Sequence, residues 1–256
     1  MKHLIEWGLF ESSKEEDIES ICKMFGIENW TLNEDGTIDV DGDVNLQNKR
    51  LKKLPLKFRN VSGNFDCSYN NLTSLERSPK WIGGDFCCDN DNLSSLKGAP
   101  KLVNGDFFCY NNKLTSLKGA PKSVGGNFFC YNNNLTSLEG CPKSVGSNFF
   151  CYNNNLTSLK GAPESVFGSF YCSNNKLTSL EGAPESIKGN FNCKNNQVEQ
   201  IWNLFEDKDK IEFFNDLDII RGNSIVLNRL IYFLGAIGKS RTEEELRELI
   251  KDYTFI

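Results

Sequence analysis

Cysteine is the residue with the most chemistry on offer, with ten in a chain of 256 residues. Thiols can pair as disulfides, hold a soft metal or act as nucleophiles, and each role needs particular partners. A zinc or thiol metal centre calls for histidine or a C-x-x-C pair, but His3 is the only histidine and no C-x-x-C occurs. A nucleophilic cysteine or serine would need that same isolated histidine as its base. Asp39, Asp41 and Asp43 alternate around Gly42 as calcium ligands can, yet the twelve-residue loop with its closing glutamate is missing, so the stretch reads as a charged turn. Asp85 and Asp106 form an acidic column without walls to shift a pKa. No phosphate loop is present. The reading is therefore a non-enzyme with no metal and no cofactor.

The cysteines are informative through their spacing. Cys67, Cys88, Cys109, Cys130, Cys151, Cys172 and Cys193 stand 21 residues apart, each in a copy of F-x-C-x-x-[ND]-x-[LV]. A whole copy runs from Asn127 to Ser147, NFFCYNNNLTSLEGCPKSVGS. Phenylalanine recurs at 65, 86, 107, 128, 149, 170 and 191, and the Asn column reads Asn70, Asp91, Asn112, Asn133, Asn154, Asn175 and Asn196. Proline recurs at 79, 100, 121, 142, 163 and 184, each followed three residues later by Ile or Val. A unit this short cannot bury its own apolar side, so the copies must stack and share one continuous core.

The frame F-x-C-x-x-N-x-L-T-S-L-x-G-A-P-x-x-V resembles the leucine-rich repeat L-x-L-x-x-N-x-L-x-x-L-P-x-x-L, closest to its short bacterial type. It also resembles bacteriophage repeat proteins with N-N-x-L-T-S-L-E-G-A-P tracts, a group of unestablished function. The similarity covers about Val44 to Ile201 and departs from the family in placing Cys where a large aliphatic is usual. The resemblance implies a mainly β solenoid with a parallel concave sheet and a non-helical convex side. The G-A-P turns and L-T-S-L segments suit an extended or polyproline-type path along that back.

In such a stack the ladder cysteines lie on parallel strands about 4.8 Å apart and point the same way. A disulfide wants its Cβ atoms about 3.8 Å apart, so reduced thiols acting as small core hydrophobes are expected. Cys87 precedes Cys88 and faces the other way, which makes it the most exposed thiol expected in the repeats. The buried Asn column should bond backbone groups where each coil turns.

Alternation then sorts the outward positions. Between the core Phe and Cys stand Asp66, Cys87, Phe108, Phe129, Phe150, Tyr171 and Asn192; after the Cys stand Ser68, Asp89, Tyr110, Tyr131, Tyr152, Ser173 and Lys194. Copies three to six thus present two aromatic columns, Phe108/Phe129/Phe150/Tyr171 and Tyr110/Tyr131/Tyr152, edged by Asp106, Asn127 and Asn148. Contiguous exposed rings mark interaction sites, and aromatics with polar borders match protein-binding cores and rims. The competing reading is that the rings stack along neighbouring strands and only stabilise the sheet.

The flanks are not repeats. Residues 1–43 read as a cap made of a helix from Ser13 to Phe25 and a hairpin from Trp30 to Val40. The solenoid spans 44–201, with a degenerate coil at 44–63 carrying Leu46 and Lys49 at the Cys and Asn positions. Residues 202–256 read as helices closing the C-terminal end, with a capping box at Thr242 and Glu245 opening a helix to about Tyr253. Net charge is −5, which gives no basic footprint for nucleic acid. No apolar run is long enough to span a membrane, and the start lacks a signal peptide, so a cytoplasmic location is expected. The functional expectation is a scaffold that binds another protein, in the phage setting a host protein. A self-assembling homo-oligomer and a carbohydrate-binding module are the alternatives.

Overall fold

The structure is a computed structural model that describes residues 15–178, 180–196, 220–221, 224–236, 240–250 and 254–256. It opens with helix α1, Glu15–Phe25, which buries Ile18, Ile21 and Cys22. Gly26 at φ +65° ends it, and the Ile27 N–H reaches back to the Cys22 carbonyl at 2.8 Å, closing the last turn. Ser13, where the sequence reading began this helix, lies outside the described residues. Strands Trp30–Leu32 and Ile38–Val40 form the expected antiparallel hairpin.

From there the chain winds as a parallel β-solenoid of 21-residue coils, as the repeat led one to expect. Every strand pairs with its equivalent one copy away, as Phe128 with Phe149 and Phe129 with Phe150. Apart from Phe58–Val61, the strands of the coils are two residues long, too short to hold alone. Their backbone groups find partners in the next coil, with Phe128 and Cys130 N–H donating to Asn148 and Phe150 carbonyls at 2.9 Å. Along the core, Phe65 to Phe170 are fully buried and stack with centroids 5.1–5.7 Å apart from Phe65 through Phe191. The ladder cysteines and both leucine columns line the same interior.

Beyond the extended or polyproline-type path expected for the back of the coil, there is a sheet that was not expected. The Pro-x-x-Val stretches build a second sheet, so each coil carries one strand in a nine-stranded sheet and one in the eight-stranded Phe/Cys sheet. In the fourth copy Ser144–Val145 belongs to the first and Phe149–Phe150, opening the fifth, to the second. Val145 turns inward while Ser144 stays half-buried, an alternation two residues long that propensity alone does not reveal. The glycine of each G-A-P turn is required twice over. Gly119 has φ +97°, and a Cβ there would lie 2.6 Å from the Leu96 carbonyl oxygen of the previous coil.

The C-terminal residues include helices α2, Leu227–Ala236, and α3, Glu243–Leu249. The capping box is present: the Thr242 hydroxyl accepts the Glu245 N–H and the Glu245 carboxylate accepts the Thr242 N–H. Helix α3 stops at Leu249 rather than near Tyr253, because the chain returns as strand Thr254–Phe255. That strand joins Ile220–Arg221 and Ser224–Ile225 in a small sheet the sequence reading did not anticipate. The Arg247 guanidinium lies 4.6 Å over the Phe255 ring, bracing strand against helix. Residues 197–219, which lead from the last coil to this unit, lie outside the described residues, as does the expected closure of the solenoid there.

Candidate partner-binding face

Each strand of the eight-stranded sheet turns its Phe and Cys inward and the residues beside them outward. Phe107 and Cys109 are fully buried while Phe108 and Tyr110 are half-buried. Because the register is 21 residues throughout, the outward rings fall one above another. Phe108, Phe129, Phe150 and Tyr171 stack with centroids 4.6–4.8 Å apart and planes within 5° of parallel. Tyr110, Tyr131 and Tyr152 stack at 4.5–4.6 Å. Within a strand the two rings meet edge-on, at 77° for Phe108 with Tyr110 and 87° for Phe150 with Tyr152. The geometry brings the seven predicted rings together as one herringbone plate. Both faces of Phe129, Phe150 and Tyr131 lie against neighbouring rings, so solvent meets mainly ring edges.

The three polar residues expected at the border have structural partners. Asp106 Oδ1 accepts the Asn127 N–H at 2.6 Å, Asn127 Oδ1 the Asn148 N–H at 3.0 Å, and Asn148 Oδ1 the Ser169 N–H at 2.7 Å. This column is a ladder at the corner between the two sheets, and Asp43, Asn64 and Asp85 extend it toward the N-terminus.

Another ladder flanks the tyrosines and was missed in the sequence. Asn90, Asn111, Asn132, Asn153, Asn174 and Asn195 all have φ between +51° and +57°. Their amides link neighbouring coils, with the exposed Asn132 Nδ2 donating to Asn111 Oδ1 at 2.7 Å and Asn153 Nδ2 to Asn132 Oδ1 at 2.8 Å. The available signal was the N-N doublet, since asparagine tolerates the left-handed region best after glycine. The second Asn of the doublet is the buried column anticipated above. Asn133 there accepts the Leu114 N–H and donates to the Cys109, Cys130 and Tyr131 carbonyls.

Charge on this face is uneven. Asp66, Asp85, Asp89 and Asp106 surround Cys87, and after burial their fields are what push its thiol further up. None of the four forms an ion pair among the described residues. Burial first, then the charge of the buried Asp89 carboxylate, holds Tyr110 well above the usual phenol range. Tyr131 is raised to about 12, mainly by burial, so the tyrosine column stays neutral across the physiological range. Lys194 stands at the other end of this column.

The remaining chemistry candidates are accounted for. Burial pushes Cys67, Cys88, Cys109, Cys130, Cys151 and Cys172 well above the ordinary thiol range. Cys87, expected to be the most exposed thiol of the repeats, is half-buried, and so is Cys141, which replaces the alanine of a G-A-P turn. Asp39 pairs with Arg59, Asp41 accepts the Ser62 hydroxyl, and Asp43 accepts the Asn64 N–H, so all three carboxylates serve the first coils.

The chain is similar to YopM from Yersinia enterocolitica WA-314, at 21% identity and a TM-score of 0.40, over 60% of this chain and 38% of that one. It thus spans well under half of YopM's length. No family model and no curated protein matches. A likeness at this level assigns neither family nor activity. Among the described residues no helix is long and apolar enough to cross a membrane.

Proposed function

We propose that the chain is a non-enzymatic scaffold that holds a segment of another protein on the aromatic face of its eight-stranded sheet. One observation carries the reading. The strand register is the same with Asp66, Cys87 or Asn192 in the column that holds Phe108, Phe129, Phe150 and Tyr171, so coil pairing alone does not require the rings. Rings confined to copies three to six define a bounded patch, as an interface core does.

Charge beside the plate narrows the partner. Asp66, Asp85, Asp89 and Asp106, none of them in an ion pair among the described residues, make the N-terminal end of the plate and its border negative, which favours a segment with a basic residue next to apolar ones and disfavours nucleic acid. At a strand spacing of about 4.8 Å, four rungs extend roughly 14 Å, the reach of about four extended residues. A sugar is less well served, because it stacks on an open ring face and here the faces cover one another. The finer reading is that the chain is phage-encoded and its partner a protein of the bacterial host; its support is the resemblance of the N-N-x-L-T-S-L-E-G-A-P tracts.

The test is affinity capture from a bacterial lysate, followed by titration of each captured protein, purified, against the chain and against its Phe129→Ser/Tyr131→Ser variant. A saturable complex that the double variant loses, while its circular dichroism is kept, supports the reading. Equal binding by both overturns it. Light scattering on the same samples separates capture of a partner from self-association.

A further inference from the structure

One member of the buried amide column is of the wrong chemical type. In Asn112, Asn133, Asn154, Asn175 and Asn196 the side-chain oxygen accepts a leucine N–H from the previous coil at 2.9–3.0 Å. Each Nδ2 donates to three carbonyl oxygens: its own coil's residues three and two positions before it, and the residue 24 positions before it. Around Asn112 these are Cys109, Tyr110 and Cys88. In the second copy the position is Asp91. Its Oδ1 keeps the accepting role, taking the Leu72 N–H at 2.9 Å. Its Oδ2 is buried without a hydrogen-bond partner, and the residue as a whole is only 8% exposed. The repeat places the carbonyls of Cys67, Cys88 and Asp89 where the amide would donate. Acceptor then faces acceptors in a low-dielectric corner, and only a hydrogen can complete it.

We propose that Asp91 is a proton-operated latch: its neutral carboxylic acid donates Oδ2–H to a carbonyl of Cys67, Cys88 or Asp89, and loss of that proton loosens the second coil. The inference is independent of the partner-binding reading. The titratable groups around it are Asp66 and Asp89, which oppose a negative charge there, and the thiols of Cys67 and Cys88, which burial keeps neutral so that they offer it no counter-charge. Burial first, with Asp89 and Asp66 adding, raises its carboxyl to about 7, against the pull of the Leu72 and Asn70 N–H groups. A folded-state value above the unfolded one means the native chain holds the extra proton. The stabilisation is therefore complete below the ordinary Asp range near 4 and is lost as pH rises toward 7. Loosening would be felt at Tyr69, whose N–H donates to the Asp89 carbonyl at 3.1 Å.

Carbon-13 titration of the aspartate carboxyls in the full chain tests this directly. The Asp91 carboxyl is expected to titrate near 7; a midpoint near 4 overturns the proposal and indicates that a buried water supplies the donors instead. Thermal unfolding of the chain and of Asp91→Asn between pH 5 and 8 gives a second reading. The variant's lead in Tm should widen as pH rises, and amide exchange at Tyr69, corrected for intrinsic rate, should accelerate only in the parent chain. A lead that stays constant with pH overturns it. If the variant does not fold, the carboxyl titration alone decides.

Discussion

Phe129 lies on Phe150 with ring centroids 4.7 Å apart and planes 3° from parallel, while Phe128, one residue earlier, lies on Phe149 at 5.3 Å on the other side of the same strand. A single backbone register thus drives two ring stacks, one inside the core and one facing solvent. Their energetic roles separate because only the inner stack is sealed from water.

Phe128→Ala should cost about 3–5 kcal/mol, the usual range for removing a buried phenylalanine. Phe129→Ser loses two stacking neighbours and part of its burial, at about 0.5–1.5 kcal/mol per ring pair. Urea unfolding followed by circular dichroism measures both. A Phe129→Ser loss as large as that of Phe128→Ala would mean the outer rings are core, and would remove the argument for a binding face.

The latch logic is portable. Asn133→Asp places a carboxylate among the Cys109, Cys130 and Tyr131 carbonyls. Its folded-state carboxyl should be raised, so the variant is expected to be more stable at pH 5 than at pH 8, with a Tm gap to the parent that widens upward in pH. Asn133→Ala should instead lose stability by a similar amount at every pH, by roughly 2–4 kcal/mol for a buried group that satisfies several backbone partners. Differential scanning calorimetry at the two pH values distinguishes them.

Gly119→Ala and Gly36→Ala separate two costs. Both glycines have positive φ, but a Cβ at Gly36 meets nothing within 4 Å whereas at Gly119 it meets the Leu96 carbonyl. Gly36→Ala should cost about 1 kcal/mol from backbone strain alone. Gly119→Ala should cost clearly more, because two coils must part to admit it. Equal losses in denaturant titrations would show that the coil gap yields easily.

Alkylation with iodoacetamide at pH 7.5 should be slow at every cysteine of the folded repeats. Cys87 and Cys141 are the half-buried thiols there, and burial raises both, Cys141 to about 12. Mass spectrometry after brief labelling should find these two ahead of the ladder thiols, and all ten labelled in denaturant. Rapid labelling of Cys130 in the native chain would contradict a closed core.

Much of this was legible because a 21-residue repeat repeats its own evidence. Seven copies make the inward Phe and Cys columns unmistakable, and with them the outward rings and the buried amides. The second sheet was hidden because Ser144–Val145 and its equivalents are two residues long and follow a proline, so neither alternation nor propensity has room to show. The border residues Asp106, Asn127 and Asn148 read as rim because polarity does not reveal that their oxygens cap the next strand's N–H. Asp91 stood in view as the odd member of its column, but its meaning depends on three carbonyls brought together from two coils. The C-terminal sheet was missed since its strands are two residues long and Thr254–Phe255 joins the antiparallel pair of Ile220–Arg221 and Ser224–Ile225 from far along the chain.

The fixed register also has a hereditary side. A coil gives its neighbour above what it takes from its neighbour below, so losing or doubling one whole copy leaves every surviving pairing with an equivalent partner. Misaligned recombination between repeats of the gene can therefore lengthen or shorten the row of rings by one rung in a single event, while the loss of one residue between the Phe and Asn columns spoils a coil. Reach along the stack is the property such a chain can change most readily.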